Sequence, residues 1–388
     1  MPYDTFNTYG GAAAMHEDTA STKARPLRTK AGDAVDKIRF MVMSGFLGAG
    51  KTTTMIALGM HMGKTYGKPG IIANDLGANL VDTNLTQTSG CTVEEIASGC
   101  ICYQMDNTID KIRRLMVRDG CVFVMSDIPG LGVGALDHTY HRLADDCADW
   151  ITLAPFTVLV EPKTVEILRS GAGGDLRYLY DTQLVEADLI VLNKCDLLDA
   201  GQREADLAWL KEHYPLAEVI AISALKEEGL EALSRALAEG KASMRRPDIG
   251  YGGEAFLAAM GHMCEFYLQY HAVVCCNDFD GNAYLLDMAR AVQQGVKAAG
   301  HDIPHLKLLA WEPEGDFGKA DLLGTDREVE VPHRFERPCT ELAVILNASA
   351  DCPAAELEKL VTETVKAVSD RYQLELLIFK QECFGMGD

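Results

Sequence analysis

The strongest chemistry in the chain lies in eight consecutive residues, Gly45-Phe46-Leu47-Gly48-Ala49-Gly50-Lys51-Thr52. They satisfy G-x-x-x-x-G-K-[ST] at every defined position. Glycines there let backbone N–H groups turn inward around phosphate oxygens, at a helix N-terminus whose dipole favours anions. Lys51 is then expected to reach the β- and γ-phosphates of a nucleoside triphosphate, and the Thr52 hydroxyl to ligate Mg²⁺. Gly45, Gly48, Ala49, Gly50, Lys51, Thr52 and Thr53 form the expected phosphate cradle. The glycine spacing excludes the dinucleotide fingerprint G-x-G-x-x-G. Gly130-Leu131-Gly132-Val133-Gly134 is glycine-rich too, but it follows an acidic residue on a different predicted strand.

Asn193-Lys194-Cys195-Asp196 closes an apolar run further along. A carboxylate there accepts both the ring N–H and the exocyclic amine of guanine, a donor pair that adenine lacks, so Asp196 would select GTP. The Lys194 stem would lie along the base, and Asn193 would tie neighbouring loops together. Ser223-Ala224-Leu225 ends the next apolar run, where a backbone N–H would meet the guanine oxygen. Asp127-Ile128-Pro129-Gly130 follows another such run. Asp127 is a candidate for Mg²⁺, directly or through water, and the Gly130 N–H for sensing the γ-phosphate. Asp75 would orient the attacking water or hold Mg²⁺ through water. Lys51, Asp75 and Asp127 are thus the expected catalytic residues. An acid at such a strand end also serves as a helix cap, an alternative open for Asp75 and Asp127 alike.

Ser98-Gly99-Cys100-Ile101-Cys102-Tyr103 lies between the Asp75 and Asp127 segments, where a nucleotide-responsive switch would sit. Two thiolates in C-x-C can grip one metal such as Zn²⁺ or Co²⁺, but do not complete a tetrahedral site. Cys91 is the candidate third ligand, with Glu94, Glu95, water or a second protomer as a fourth. Thr52, Asp127, Cys91, Cys100 and Cys102 are therefore the candidate metal ligands. Reduced, unliganded thiols would give the same pattern.

These residues need strands that end beside them. Apolar runs at 38–43, 70–73, 121–125, 156–160, 188–192 and 218–222 alternate with helical stretches such as 51–66, 107–118, 164–168 and 204–213. The alternation predicts an α/β domain, a P-loop fold whose mostly parallel sheet is covered by helices on both faces. The expected organisation is a disordered tail over 1–36, the P-loop domain over 37–240, a linker over 241–253 and a smaller α+β domain over 254–388. The linker is rich in Pro, Gly and charge without an apolar period. The last domain holds two strand–helix–strand units, 271–276, 283–299, 306–311 and 341–346, 354–372, 374–379, which predict a ferredoxin-like topology.

The chain has 388 residues, enough for two domains, and its 48% apolar and 24% charged residues exclude a fully disordered chain. Lys and Arg total 36 against 57 Asp and Glu, a net charge of −21. So acidic a surface repels nucleic-acid backbone and anionic lipid, so neither is an expected partner. No apolar run approaches the ~18 residues of a membrane span. The N-terminus lacks the basic-then-apolar order of a secretory signal, so a cytoplasmic location is expected. The 12 cysteines are spread over the whole chain rather than set in a short disulfide framework.

Taken in order, Gly45 to Thr52, Asn74-Asp75-Leu76-Gly77, Gly99-Cys100-Ile101-Cys102, Asp127 to Gly130, Asn193 to Asp196 and Ser223-Ala224-Leu225 resemble the CobW/HypB/UreG family of P-loop GTPases, the CobW-like branch most closely. The resemblance covers about residues 38–240. It implies a GTPase using GTP and Mg²⁺, acting as a metallochaperone for Zn²⁺ or Co²⁺ or as a chaperone of cobalamin enzymes. It also implies slow hydrolysis, a GTP-dependent homodimer and a client metalloenzyme or cobalamin enzyme as partner. The branch usually shows C-x-C-C, and its third cysteine is Tyr103 here. The usual Asn-Glu and Glu-x-x-Gly motifs carry the shorter acids Asp75 and Asp127. Tyr103 favours the alternative of a GTP-dependent chaperone that transfers no metal itself. The Asn193 to Asp196 motif disfavours a small-molecule kinase. The last domain lacks an evident His-rich metal tail; His262, Cys264, His271, Cys275 and Cys276 are conceivable ligands there, with packed side chains the favoured reading.

Overall fold

The computed structural model describes residues 27–28, 34–35, 37–73, 91–96, 101–102, 104–274 and 278–385. Asp75, Cys100, Tyr103, Cys275 and Cys276 lie outside the described residues, as does most of the expected tail. Within that tail, β1 (Leu27–Arg28) and β2 (Ala34–Val35) pair antiparallel as a ribbon of their own. Residues 37–388 form one compact unit.

The first body of that unit is a parallel sheet. Its strands are β3 (Ile38–Ser44), β4 (Pro69–Ala73), β5 (Thr92–Glu95), β6 (Phe123–Asp127), β7 (Ile151–Leu153), β8 (Thr157–Val160), β9 (Leu189–Leu192) and β10 (Glu218–Ala221). The order is β10-β9-β8-β3-β6-β4-β5, with β7 also beside β3. The central strands are buried on both faces, which is why they read as continuous apolar runs rather than alternating ones. Among the helices that connect them are α1 (Lys51–Thr65), α2 (Met105–Val117), α3 (Arg142–Cys147), α4 (Pro162–Ser170), α5 (Arg177–Glu186), α6 (Ala200–His213) and α7 (Leu230–Glu239). Because every pairing is parallel, all strands end at the same edge of the sheet. In such sheets ligands bind outside that edge.

The run expected at 156–160 is the second half of an interrupted strand. β7 pairs with the start of β3 and β8 with its end, and Ala154-Pro155-Phe156 lies between them. Pro155 has no N–H to give to the ladder. The stretch 241–253 has no regular structure, yet it is bonded to the parallel body. Arg245 donates to the Ala187 carbonyl, Ser243 N to Asp188 Oδ2 at 3.1 Å, and Tyr178 OH to the Ile249 carbonyl at 2.7 Å.

The second body follows α8 (Glu254–Gly261). It contains β11 (Cys264–Val274), α9 (Gly281–Ala298), β12 (His305–Trp311), β13 (Phe317–Leu322), β14 (Glu330–His333), β15 (Glu341–Ala350), α10 (Ala354–Arg371) and β16 (Leu374–Gly385). The sheet order is β14-β13-β12-β15-β11-β16, all antiparallel. Four consecutive strands, β12-β15-β11-β16, are the ferredoxin-like arrangement of two strand–helix–strand units, extended beyond β12 by β13 and β14. That hairpin was not foreseen, and β11 begins seven residues before the expected 271. Along β11, Cys264, Phe266, Leu268, Tyr270 and Ala272 point into the core under α9 and α10. Their period of two is the signal that the polar Glu265, Gln269 and His271 between them obscured.

Candidate functional site

The phosphate loop joins the end of β3 to the start of α1. Gly45, Gly48 and Gly50 hold φ of 131°, 77° and 89°, the left-handed region that favours glycine. A Cβ on Gly45 would strike the Leu159 carbonyl oxygen, and one on Gly50 would strike the Asn193 amide. The loop is therefore pressed against the ends of β8 and β9. Lys51 Nζ donates to the carbonyls of Gly45 at 2.8 Å and Phe46 at 3.2 Å, so the cation lies folded over the loop it belongs to. Thr52 is half-buried and Thr53 exposed in the first turn of α1. Thr54 is buried under Asn193.

Asp127 ends β6, opposite Met43 of the neighbouring β3, and is nearly buried. The chain then runs back across the phosphate loop. A Cβ on Gly130 would lie 2.7 Å from the Leu47 backbone nitrogen and 2.5 Å from its Cδ2. Only a glycine permits this approach, so the Gly130 peptide abuts the loop. Asp127 and Gly130 thus lie beside the phosphate cradle.

Asn193 is the crosspiece of the site. Its Nδ2 donates to the Ala49 carbonyl at 2.9 Å, and its Oδ1 accepts from Ala224 N at 3.1 Å. It is buried, so these bonds are made out of water, where a lost partner is costly. Lys194 takes φ 60°, which turns the chain after β9. Asp196 stays exposed, with Oδ1 accepting from Ser223 Oγ at 2.6 Å. Ser223 Oγ in turn accepts from Lys226 N at 3.2 Å. The backbone N–H groups of Ser223 and Ala224 are both bonded within the protein, to the Glu228 carbonyl and to Asn193. In this state neither N–H is free for the expected guanine contact. Leu197 and Leu225 are largely exposed, each one residue on from Asp196 and Ala224.

Of the expected thiolate set, Cys91 and Cys102 are among the described residues and Cys100 is not. Cys91 precedes β5 and packs beside the middle of α1, where a Cβ on Gly59 would stand 2.8 Å from its Sγ. Cys102 follows β5. Glu94 is paired with Lys111 and Arg118, each at 3.3 Å. No group of three or more His, Cys, Asp or Glu among the described residues is arranged to hold a metal ion. No helix among them is long and apolar enough to cross a membrane.

A family model described as CobW/HypB/UreG, nucleotide-binding domain, matches residues 39–221, the segment that holds the site apart from the Ser223-Ala224 loop. That segment, just under half of the chain, is similar to the CobW/HypB/UreG nucleotide-binding domain. Among relatives, the zinc chaperone YeiR of Escherichia coli (strain K12) is 27% identical over 208 residues, covering 53% of this chain and 62% of that protein. The zinc chaperone CobW of Sinorhizobium sp is 29% identical over 195 residues, covering 44% of this chain and 54% of that one. The matches thus span between 54% and 62% of these relatives' own lengths. Among solved structures, HypB from Helicobacter pylori in complex with nickel aligns at 18% identity and a TM-score of 0.39, over 53% of this chain and 87% of that one. Zn(II)-bound YjiA GTPase from E. coli aligns at 14% identity and a TM-score of 0.35, over 84% of this chain and 99% of that one.

The matched segment also contains residues beside the phosphate loop that the sequence alone did not single out. Gln183 on α5 donates to the carbonyls of Gly130 at 2.8 Å and Gly132 at 3.0 Å. One turn on, Glu186 accepts from Gly134 N at 2.9 Å and Leu136 N at 3.0 Å. Together they clamp the segment that follows Asp127. Tyr180 of the same helix meets Phe46 of the phosphate loop edge-on at 4.4 Å. A polar Gln-x-x-Glu on a buried helix face was the available signal.

Burial pushes the Glu186 carboxyl up to about 7, against the pull of its backbone donors toward the charged form. The folded chain then holds this proton to higher pH than the unfolded chain does. Its contribution to stability is complete below the ordinary 4.5 and is lost as pH rises through about 7. Over that window the unfolding free energy should fall by on the order of 3 kcal/mol from this group. Glu186→Gln cannot titrate and should flatten the slope. Urea unfolding of both proteins at intervals from about pH 5 to about pH 8 checks this; parallel curves would assign the slope elsewhere.

Proposed function

We propose that the chain binds and hydrolyses GTP and uses that cycle to carry a metal ion of the zinc or cobalt class to a client protein. One observation carries the nucleotide half. Asn193 bonds both the phosphate loop at Ala49 and the Ser223-Ala224 loop, so β3, β9 and β10 deliver their motifs to one edge of the sheet. At that edge the phosphate loop would hold the β- and γ-phosphates, with Lys51 swinging from its own loop onto them. Asp196 would bind the guanine edge. The Lys194 stem and the exposed Leu197 and Leu225 offer the base apolar cover. Thr52 and Asp127 supply oxygen donors, which suit a hard cation. They would hold Mg²⁺, which when bound neutralises charge on the phosphates. Water then attacks the γ-phosphorus and GDP leaves as the γ-phosphoryl group passes to water. The protein's part is positioning and charge neutralisation, with Asp75 proposed to orient the water.

The metal half rests on Cys100 and Cys102 and on the names of the zinc chaperones to which the chain is similar. The loop lies between the Asp75 and Asp127 segments in sequence, so exchange of GTP for GDP would change its ligand geometry. A GTP-dependent homodimer would supply further ligands from a second protomer. The second reading, a chaperone of a cobalamin enzyme that moves no metal, draws on Tyr103 at the third motif position.

Titration of the reduced protein with Zn²⁺ and Co²⁺ tests this, first with GDP and then with a non-hydrolysable GTP analogue. The expected result is a thiolate site whose affinity differs at least about tenfold between the two nucleotides. The Cys100→Ser, Cys102→Ser double variant should lose it. Equal affinities would remove the coupling. GTPase activity without a thiolate site would favour the second reading.

A further inference from the structure

The turn between β13 and β14, residues 323–327, is built rigidly and set against the nucleotide site. Gln293 of α9 donates through Nε2 to the carbonyls of Gly324 at 3.4 Å, Thr325 at 3.2 Å and Arg327 at 2.6 Å. Asp302 Oδ1 accepts from both the N–H and the hydroxyl of Thr325, each at 2.8 Å. The turn so fixed reaches the other body at three places. The Leu323 side chain lies 3.4 Å from where a Cβ of Gly48, in the phosphate loop, would stand. Lys163, at the start of α4, donates to Asp326 Oδ1 at 2.6 Å. Glu161, nearly buried after β8, holds two cations on the same oxygen. Lys194 Nζ lies 2.7 Å from its Oε2, and Arg327 Nη2 lies 3.8 Å from it.

Lys194 is the lysine of the guanine motif, and here it is spent on Glu161. To lie along a bound base it must give up that pair. A desolvated carboxylate left without a cation is costly, so Lys194 is free to leave only if another cation stays. Arg327 is already on the same oxygen. We infer that Arg327 is a positioning residue for nucleotide binding: by neutralising Glu161 it releases Lys194 to the guanine base. Guanine-nucleotide affinity then depends on the docked 323–327 turn. This inference rests on the GTP reading above.

The test is GTP affinity of the full chain by titration, in four proteins: wild type, Arg327→Ala, Glu161→Gln, and the double variant. With Glu161 intact, Arg327→Ala should weaken GTP binding about tenfold, as expected for loss of a partner in a partly buried charge pair. In the Glu161→Gln background no charge needs neutralising, and the same change should have less than about a twofold effect. Arg327→Lys should retain affinity within about threefold, since only a cation is required. Equal losses in both backgrounds would mean the turn acts only as structure and would overturn the inference. So would unchanged affinity of Arg327→Ala beside a wild type that binds GTP. A wild type that binds no GTP would instead overturn the nucleotide reading, and this inference with it.

Discussion

Lys51→Ala is expected to lower GTP turnover at least about a hundredfold while leaving the fold intact. In the structure the ammonium group sits on the Gly45 and Phe46 carbonyls. Both belong to its own loop, and Lys51 is only half-buried. Truncation leaves those two carbonyls to water, a cost of about 1 kcal/mol or less. The loop shape does not depend on it. That shape is set by the three left-handed glycines and by the contacts of Gly45 and Gly50 with Leu159 and Asn193. What is lost is the one cation of the motif that can follow charge onto the γ-phosphate as the bond to the leaving oxygen breaks. Removing a single preorganised donor costs roughly a hundred- to a thousandfold in other enzymes, and a full charge should not cost less. Lys51→Arg should not rescue, because a planar fork does not fit a cradle sized for a point charge. Single-turnover phosphate release at saturating GTP, beside urea unfolding of the same proteins, gives both quantities. Turnover within tenfold of wild type would remove Lys51 from the mechanism.

The motifs proposed to hold the nucleotide were legible because their chemistry tolerates few residue types at fixed spacing. Gly45 to Thr52 must be a turn of exposed N–H groups, and Asn193 to Asp196 needs an amide, a long stem and a carboxylate in that order. What could not be read was anything that depends on which elements become neighbours. Glu161 is one acid among many until β9 and the 323–327 turn bring Lys194 and Arg327 to it. Gln183 and Glu186 gain their role only because α5 lies against the segment after Asp127. In the second body the two strand–helix–strand units were visible in outline. The β13–β14 hairpin was not, because its short strands alternate too briefly to stand out from the turns around them.

Asp196→Asn is expected to weaken GTP binding by two to four orders of magnitude and to transfer preference to xanthosine triphosphate. The carboxylate would accept two guanine donors, the ring N–H and the exocyclic amine. Hydrogen bonds to a charged acceptor are worth about 1.5–3 kcal/mol each, which together give roughly a hundred- to ten-thousandfold. The direction of the switch follows from Ser223. Its Oγ accepts from Lys226 N, which leaves its own proton for residue 196. An asparagine at 196 would therefore keep its carbonyl oxygen toward Ser223 and turn its amide NH₂ outward to the base. That NH₂ faces the amine of guanine, donor against donor, but it matches the carbonyl that xanthine carries at the same position. The asparagine oxygen still accepts the ring N–H, which both bases present. Stability should change little, since Asp196 is exposed and the Ser223 bond survives. Competition of GTP, ITP and XTP against a labelled GDP on both proteins reads the switch. Inosine lacks the exocyclic amine, so it should lose to GTP on the wild type and should not on the variant. A variant that still prefers GTP to XTP would mean that Asp196 does not face the base, however well its motif is spelled.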